Sequence, residues 1–156
     1  MLIQTQCPST TDQPTTEPPT DPPIVSHCPS EELLNPCACF EDAFEDGALL
    51  LNCDWQDIED EAMSNILNAF LTGDENINPL RTLRLEHNKL TKIPDQIKLL
   101  SAVEEVYLWD NLIETITSGS LTFTATEKII GLGDKIQTIE SGAFVGMYKN
   151  LKIQLL

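Results

Sequence analysis

The stretch LRTLRLEHNKLTKIP, residues 80–94, decides how the chain folds. Its apolar residues fall at Leu80, Leu83, Leu85, Leu90 and Ile93, with an asparagine at Asn88. That spacing follows neither a helical i, i+3, i+4, i+7 stripe nor a plain strand alternation. A short alternation through Leu83 and Leu85 is followed by a turn at Asn88 and a return of apolar residues. Such a pattern buries its side chains only if a neighbouring copy of the same turn covers them.

The copy exists. VEEVYLWDNLIETI places Val103, Val106, Leu108, Asn111, Ile113 and Ile116 each 23 residues after its counterpart. A third, worn copy is EKIIGLGDKIQTIESGAF. Strict spacing would put Gly131 at the position of Leu85 and Leu108. Losing one residue at the asparagine position instead aligns Ile130, Leu132, Ile136 and Ile139. The second register is preferred, because a buried strand position wants a large apolar side chain and glycine has none. A fourth copy begins at NLKIQLL, with Ile153 and Leu155 as its strand residues.

This LxxLxLxxNxL pattern resembles extracellular leucine-rich-repeat proteins with 23–24-residue repeats, and SGAFVGM is similar to their usual repeat ending. The resemblance covers about residues 28–156. It implies an α/β leucine-rich-repeat solenoid, with short parallel strands on the concave face and leucines turned inward. It also implies that the asparagine side chains hydrogen-bond the backbone of the neighbouring turn. Three regions are expected: a disordered linker over 1–27, a cysteine-rich cap with one helix over 28–79, and repeats over 80–156, truncated in the fourth.

Charge is distributed unevenly along the 156 residues. Residues 1–80 hold 16 Asp and Glu and no Lys or Arg, whereas 81–156 hold 9 of each sign, so the net −16 belongs to the first half. Nucleic-acid binding needs a basic surface and is not expected. No apolar run reaches the roughly 18 residues of a membrane span, and MLIQTQCPSTTDQ lacks the regions of a secretory signal. PSTTDQPTTEPPTDPPIVS, residues 8–26, holds six Pro, five Thr and two Ser in nineteen positions. It has too little apolar surface to offset ordering entropy, so a disordered, semi-extended linker is expected there. No N-x-S/T acceptor occurs, so N-glycosylation is not expected.

HCPSEELLNPCACF and GALLLNC give Cys28-x8-Cys37-x-Cys39-x13-Cys53 immediately before the repeats. A stack of repeats needs a lid over its first core layer. Leu49, Leu51 and Cys53 alternate as a strand of that lid should. Four cysteines allow three connectivities. The arrangement is similar to the N-terminal cysteine cap of extracellular leucine-rich-repeat proteins, and that resemblance implies Cys28–Cys39 and Cys37–Cys53. The rival is a zinc site using these cysteines with His27. It lacks paired C-x2-C knuckles, and acidic surroundings do not favour thiolates. Disulfides imply an oxidising compartment, hence a secreted protein. Cys7 is left over: free, available to cross-link two chains, or separated from a partner upstream of residue 1.

DIEDEAMSNILNAFL, residues 57–71, carries Ile58, Ala62, Ile66 and Phe70 at four-residue spacing, with Met63 and Leu67 alongside. A helix is expected, capped by Asp57 and ended by Gly73, lying on the outer side of the first repeat. This layout, followed by NPLRTLRL, resembles an arthropod group of leucine-rich-repeat proteins commonly named for the non-catalytic subunit of Oplophorus-luciferin 2-monooxygenase. That resemblance implies, as an alternative function, an accessory subunit that stabilises a secreted enzyme.

If the leucines turn inward, the residues between them face outward: Arg81, Thr82, Arg84, Glu86 and His87, then Glu104, Glu105, Tyr107, Trp109 and Asp110, then Lys128, Ile129, Gly131, Gly133 and Asp134. Neighbouring strands lie about 4.8 Å apart, so equivalent positions form rows: Arg84, Tyr107, Gly131 and Glu86, Trp109, Gly133. Outward Tyr and Trp are typical interface anchors. The expected site is therefore a protein-binding one, made of Arg84, Glu86, His87, Tyr107, Trp109 and Asp110. The rival reading has Trp109 lying flat simply to cover the sheet. No catalytic motif, phosphate loop, cofactor fingerprint or calcium-loop spacing is present, and His87 is expected to be exposed beside Asn88. A non-enzymatic binding module without cofactor is the expectation. Because no closing cap follows the fourth copy, a fragment of a longer secreted protein is expected, with self-association through that copy or through Cys7.

Overall fold

A computed structural model describes residues 28–41, 47–72, 79–121, 128–146 and 151–155. The expectations for the 1–27 linker, for Cys7 and His27, and for Gly73 as a helix stop lie outside these residues.

The fold is mixed α/β. A short helix α1 (Glu31–Leu34) precedes β1 (Ala38–Glu41) and β2 (Leu49–Asn52), followed by α2 (Asp60–Asn68), β3 (Leu80–Arg84) and a 3-10 turn at Asp95–Leu99. Then come β4 (Glu105–Tyr107), β5 (Thr115–Ile116), β6 (Lys128–Leu132), β7 (Thr138–Ile139) and β8 (Leu151–Leu155). Six strands form one sheet in the order β1-β2-β3-β4-β6-β8; β5 and β7 form a second, two-stranded one. Only the β1–β2 pair is antiparallel.

The register follows the leucine spacing. Leu51 lies opposite Leu83, Leu83 opposite Val106, and Val106 opposite Ile130. The step from Val106 to Ile130 is one residue longer than that from Leu83 to Val106, while Ile116 returns to Ile139 at the shorter spacing. The missing residue thus falls between β6 and β7, at the asparagine position. Leu49, Leu51, Leu83, Leu85, Val106, Leu108, Ile130 and Leu132 are all buried in one cluster that runs from the cap through the third copy. Ile139 departs from this. It is 52% exposed, although its partner across the small sheet, Ile116, is fully buried.

Asn88 and Asn111 are buried and make equivalent bonds. Asn88 Oδ1 accepts from Ile58 N at 2.9 Å, and its Nδ2 donates to the carbonyls of Cys53, Leu85 and Glu86. Asn111 Oδ1 accepts from Leu90 N at 3.1 Å, and its Nδ2 donates to Leu85, Leu108 and Trp109. Each amide satisfies backbone groups that the turn after the strand would otherwise leave unpaired in the core.

Two disulfides, Cys28–Cys39 and Cys37–Cys53, tie the residues on either side of α1 to β1 and to the residue after β2, the pairing that the cap resemblance implies. The helix differs from expectation at its start. It begins at Asp60 with Glu59 at the N-cap and no side-chain cap, and Asp57 has φ 57°. Ile58 precedes the helix yet is buried, while Ala62 is exposed. The reason is a long-range contact: Ile58 N donates to Asn88 Oδ1, 30 residues on, and this holds residues 57–59 in a non-helical connection before the helix can start. Asp60 then reaches across to accept from Thr91 N at 2.9 Å, tying α2 to the turn after β3. Met63, Ile66 and Leu67 face the core, against the 3-10 turn.

Candidate binding cleft on the parallel sheet

With Leu83, Val106 and Ile130 turned inward, period-two alternation sends Arg84, Tyr107 and Gly131 to the other face, where they lie directly opposite one another. A second row starts in the cap, since Leu50 pairs with Thr82 and Thr82 with Glu105. Leu49 meets Leu80 and Leu50 meets Thr82, so Arg81 is an extra residue in β3 and swings to Glu104 at 2.6 Å. On this face lies a cleft of about 310 Å³ lined by Leu50, Thr82, Arg84, Glu86, Glu105, Tyr107 and Trp109.

Its electrostatics centre on Arg84. Nη2 lies 2.8 Å from Asp54 Oδ2 and 2.9 Å from Glu86 Oε2. Asp54 Oδ1 also accepts from Glu86 N at 3.0 Å, so the three groups lock together. Burial pushes the Glu86 carboxyl above the usual glutamate value; the Arg84 hydrogen bond opposes the shift and the Asp54 charge adds to it. The Tyr107 hydroxyl donates to Glu105 Oε2 at 3.1 Å. Burial raises the Tyr107 pKa, and the charge of Glu105 adds to the rise. The Tyr107 and Trp109 rings stand 5.4 Å apart, tilted by 57°.

Trp109 is held by a missing side chain. A Cβ added to Gly131 would come within 2.6 Å of Trp109 Cε2, so the indole lies across the glycine of the next strand. It is half-buried, and its Nε1 is covered with no hydrogen-bond partner among the described residues. The indole therefore covers the sheet and walls the cleft at the same time.

Of the six residues expected at the site, Arg84, Glu86, Tyr107 and Trp109 line the cleft. Glu86 and Thr82 face the cleft yet are buried, 7% and 5% exposed, and Glu86 is packed against Asp54 and Arg84. His87 and Asp110 lie at its rim. His87 is not simply exposed beside Asn88. Its ring stacks on Trp55 with centroids 3.5 Å apart, and Nδ1 sits 2.7 Å from Asp110 Oδ2. Trp55, His87 and Asp110 occupy equivalent turns, each with positive φ. Lys128 and Ile129 also belong to the outward set, but their side chains lie outside the described residues.

Sequence reasoning missed Asp54, Leu50 and the 72%-exposed Trp55. The signal was present: once Leu51 is aligned with Leu83, the cap's Leu50, Asp54 and Trp55 fall in the rows of Thr82, Glu86 and His87. Glu105 was expected on this face but not in the site.

Among the described residues, no group of three or more His, Cys, Asp or Glu is placed to hold a metal ion, and no helix is long and apolar enough to cross a membrane. The two disulfides fit an extracellular or otherwise oxidising compartment. No protein-family model matches the chain, and no curated protein or solved structure matches it either.

Proposed function

We propose that this chain is a secreted, non-catalytic leucine-rich-repeat module that captures a protein partner on the concave face of its parallel sheet. The 23-residue register, the matched roles of Asn88 and Asn111 and the disulfide-stapled lid support the repeat architecture. The observation that carries the binding role is the Tyr107–Trp109 pair, set in a cleft beside a guanidinium fixed by two carboxylates. Large, pre-positioned aromatic side chains bind with little loss of side-chain entropy, which is why they anchor interfaces. Arg84, Glu86, His87 and Asp110 supply the polar surround.

The test is affinity capture from the extracellular fluid of the native source, followed by titration of the recovered partner. Tyr107→Ala with Trp109→Ala should weaken that titration at least about a hundredfold, the scale of two anchor residues. The circular dichroism spectrum should be retained. A partner bound equally by the double variant would overturn the assignment of this face. Recovery of an enzyme whose activity outlasts dilution only when this chain is present would identify the module as an accessory subunit.

A further inference from the structure

We infer that the cleft receives a positively charged side chain, lysine or arginine, from an extended segment of the partner; this rests on the partner-binding reading above. Two carboxylates, Asp54 and Glu86, pair with the one guanidinium, Arg84, and a third, Glu105, lines the same cleft, which leaves two negative charges in excess. Arg84 Nη2 is taken by Asp54 and Glu86, so a carboxylate that reached the remaining guanidinium donors would sit against those two carboxylates and near Glu105, which lines the same cleft. Glu105 has only the Tyr107 hydroxyl and no cationic partner among the described residues.

The aromatic walls favour the same sign of charge. A ring face attracts a cation within about 6 Å of its centroid, most strongly for Trp and then Tyr. Two rings 5.4 Å apart at 57° form an angled pair of walls, and Glu105 is hydrogen-bonded to the hydroxyl of one of them. An ammonium or guanidinium entering there meets ring faces and a carboxylate together, while its methylene stem lies on apolar ring surface. The raised pKa values of Glu86 and Tyr107 are what burial and excess negative charge produce together, and a bound cation would lower both.

The test uses the full chain with its disulfides intact, in a Trp55→Phe background that leaves Trp109 as the only indole of the two in the chain. Three capped pentapeptides, Thr-X-Thr-X-Thr with X as Lys, Gln or Glu, are titrated against Trp109 emission. The lysine peptide should bind about tenfold more tightly than the glutamine peptide, a difference of one ion contact, and the glutamate peptide should bind least. Glu105→Gln should cut lysine-peptide affinity about fivefold, whereas Glu31→Gln with Glu32→Gln, on α1 outside the cleft, should leave it unchanged.

Equal loss from the α1 control would mean diffuse attraction to an acidic chain and would overturn the inference. Equal binding of lysine and glutamine peptides, both abolished by Tyr107→Ala with Trp109→Ala, would keep the recognition face and sink the charge preference. Silence toward all three peptides also overturns the inference, while the face itself stands or falls on partner capture.

Discussion

Asn111 illustrates how much one side chain carries in this fold. It accepts one backbone N–H and donates to three carbonyls, all but that of Trp109 in the interior. Asn111→Ala leaves Leu90 N–H unpaired and takes from Leu108 O the bond it accepts, while Leu85 O keeps Asn88 Nδ2; each orphaned buried group costs about 1–3 kcal/mol, so a loss of about 3 kcal/mol in urea unfolding is expected. Gly131→Ala acts differently. The new Cβ collides with the indole, so Trp109 must leave its seat, with a red-shifted emission in the Trp55→Phe background and a stability loss of about 1–3 kcal/mol. Unchanged emission would mean that the indole is not held over Gly131. Glu86 adds a pH dependence. The folded state keeps its proton to a higher pH than the unfolded chain, whose value lies near 4.5. Folded protein therefore binds more protons in that window, and stability falls as pH rises from about 4.5 through the raised folded value. Glu86→Gln should remove this slope, which urea midpoints at pH 4.5 and pH 7 would reveal.

The elements show which features the sequence carried and which it did not. The leucine spacing located β3, β4 and β6 and their register, because a buried position tolerates few residue types and so leaves a mark. The start of α2 was not legible. Acidic residues crowd 57–61, any of them can precede a helix, and the choice was made by a contact 30 residues away, Ile58 N on Asn88 Oδ1. The rim of the site was hidden for a similar reason: Trp55, His87 and Asp110 adopt positive φ, a conformation that Trp in particular does not advertise. The cap disulfides offer a test at this scale. They close loops of 11 and 16 residues, so removing either should cost about 2–4 kcal/mol. The greater loss is expected for Cys37→Ser with Cys53→Ser, since Cys53 is fully buried and serine would place a hydroxyl in that apolar position. Thermal melts of the two double variants would rank them; equal melting temperatures would mean that Cys53 contributes only its crosslink.

Taken whole, the molecule pairs a strongly acidic first half with a repeat region of balanced charge, and the cleft draws residues from both. Leu50 and Asp54 come from the cap, while Arg84, Glu105, Tyr107 and Trp109 come from the repeats. On the proposed reading, the long-range field of a net charge of −16 would raise the encounter rate with a cationic segment, whereas the contacts inside the cleft would govern how long it stays. The two parts respond differently to salt. The Debye length shrinks from about 10 Å at 0.1 M to about 3 Å at 1 M, which removes steering but screens partly buried pairs such as Arg84 with Asp54 much less. Stopped-flow mixing with the lysine pentapeptide over this range should therefore show the association rate falling about tenfold, the lower end of electrostatic steering, with a dissociation rate nearly unchanged. The urea midpoint should move little over the same range, because the fold rests on its leucine core and disulfides. A dissociation rate that climbs with salt as steeply as association falls would place the attraction on the surface at large and leave the cleft without a share in it.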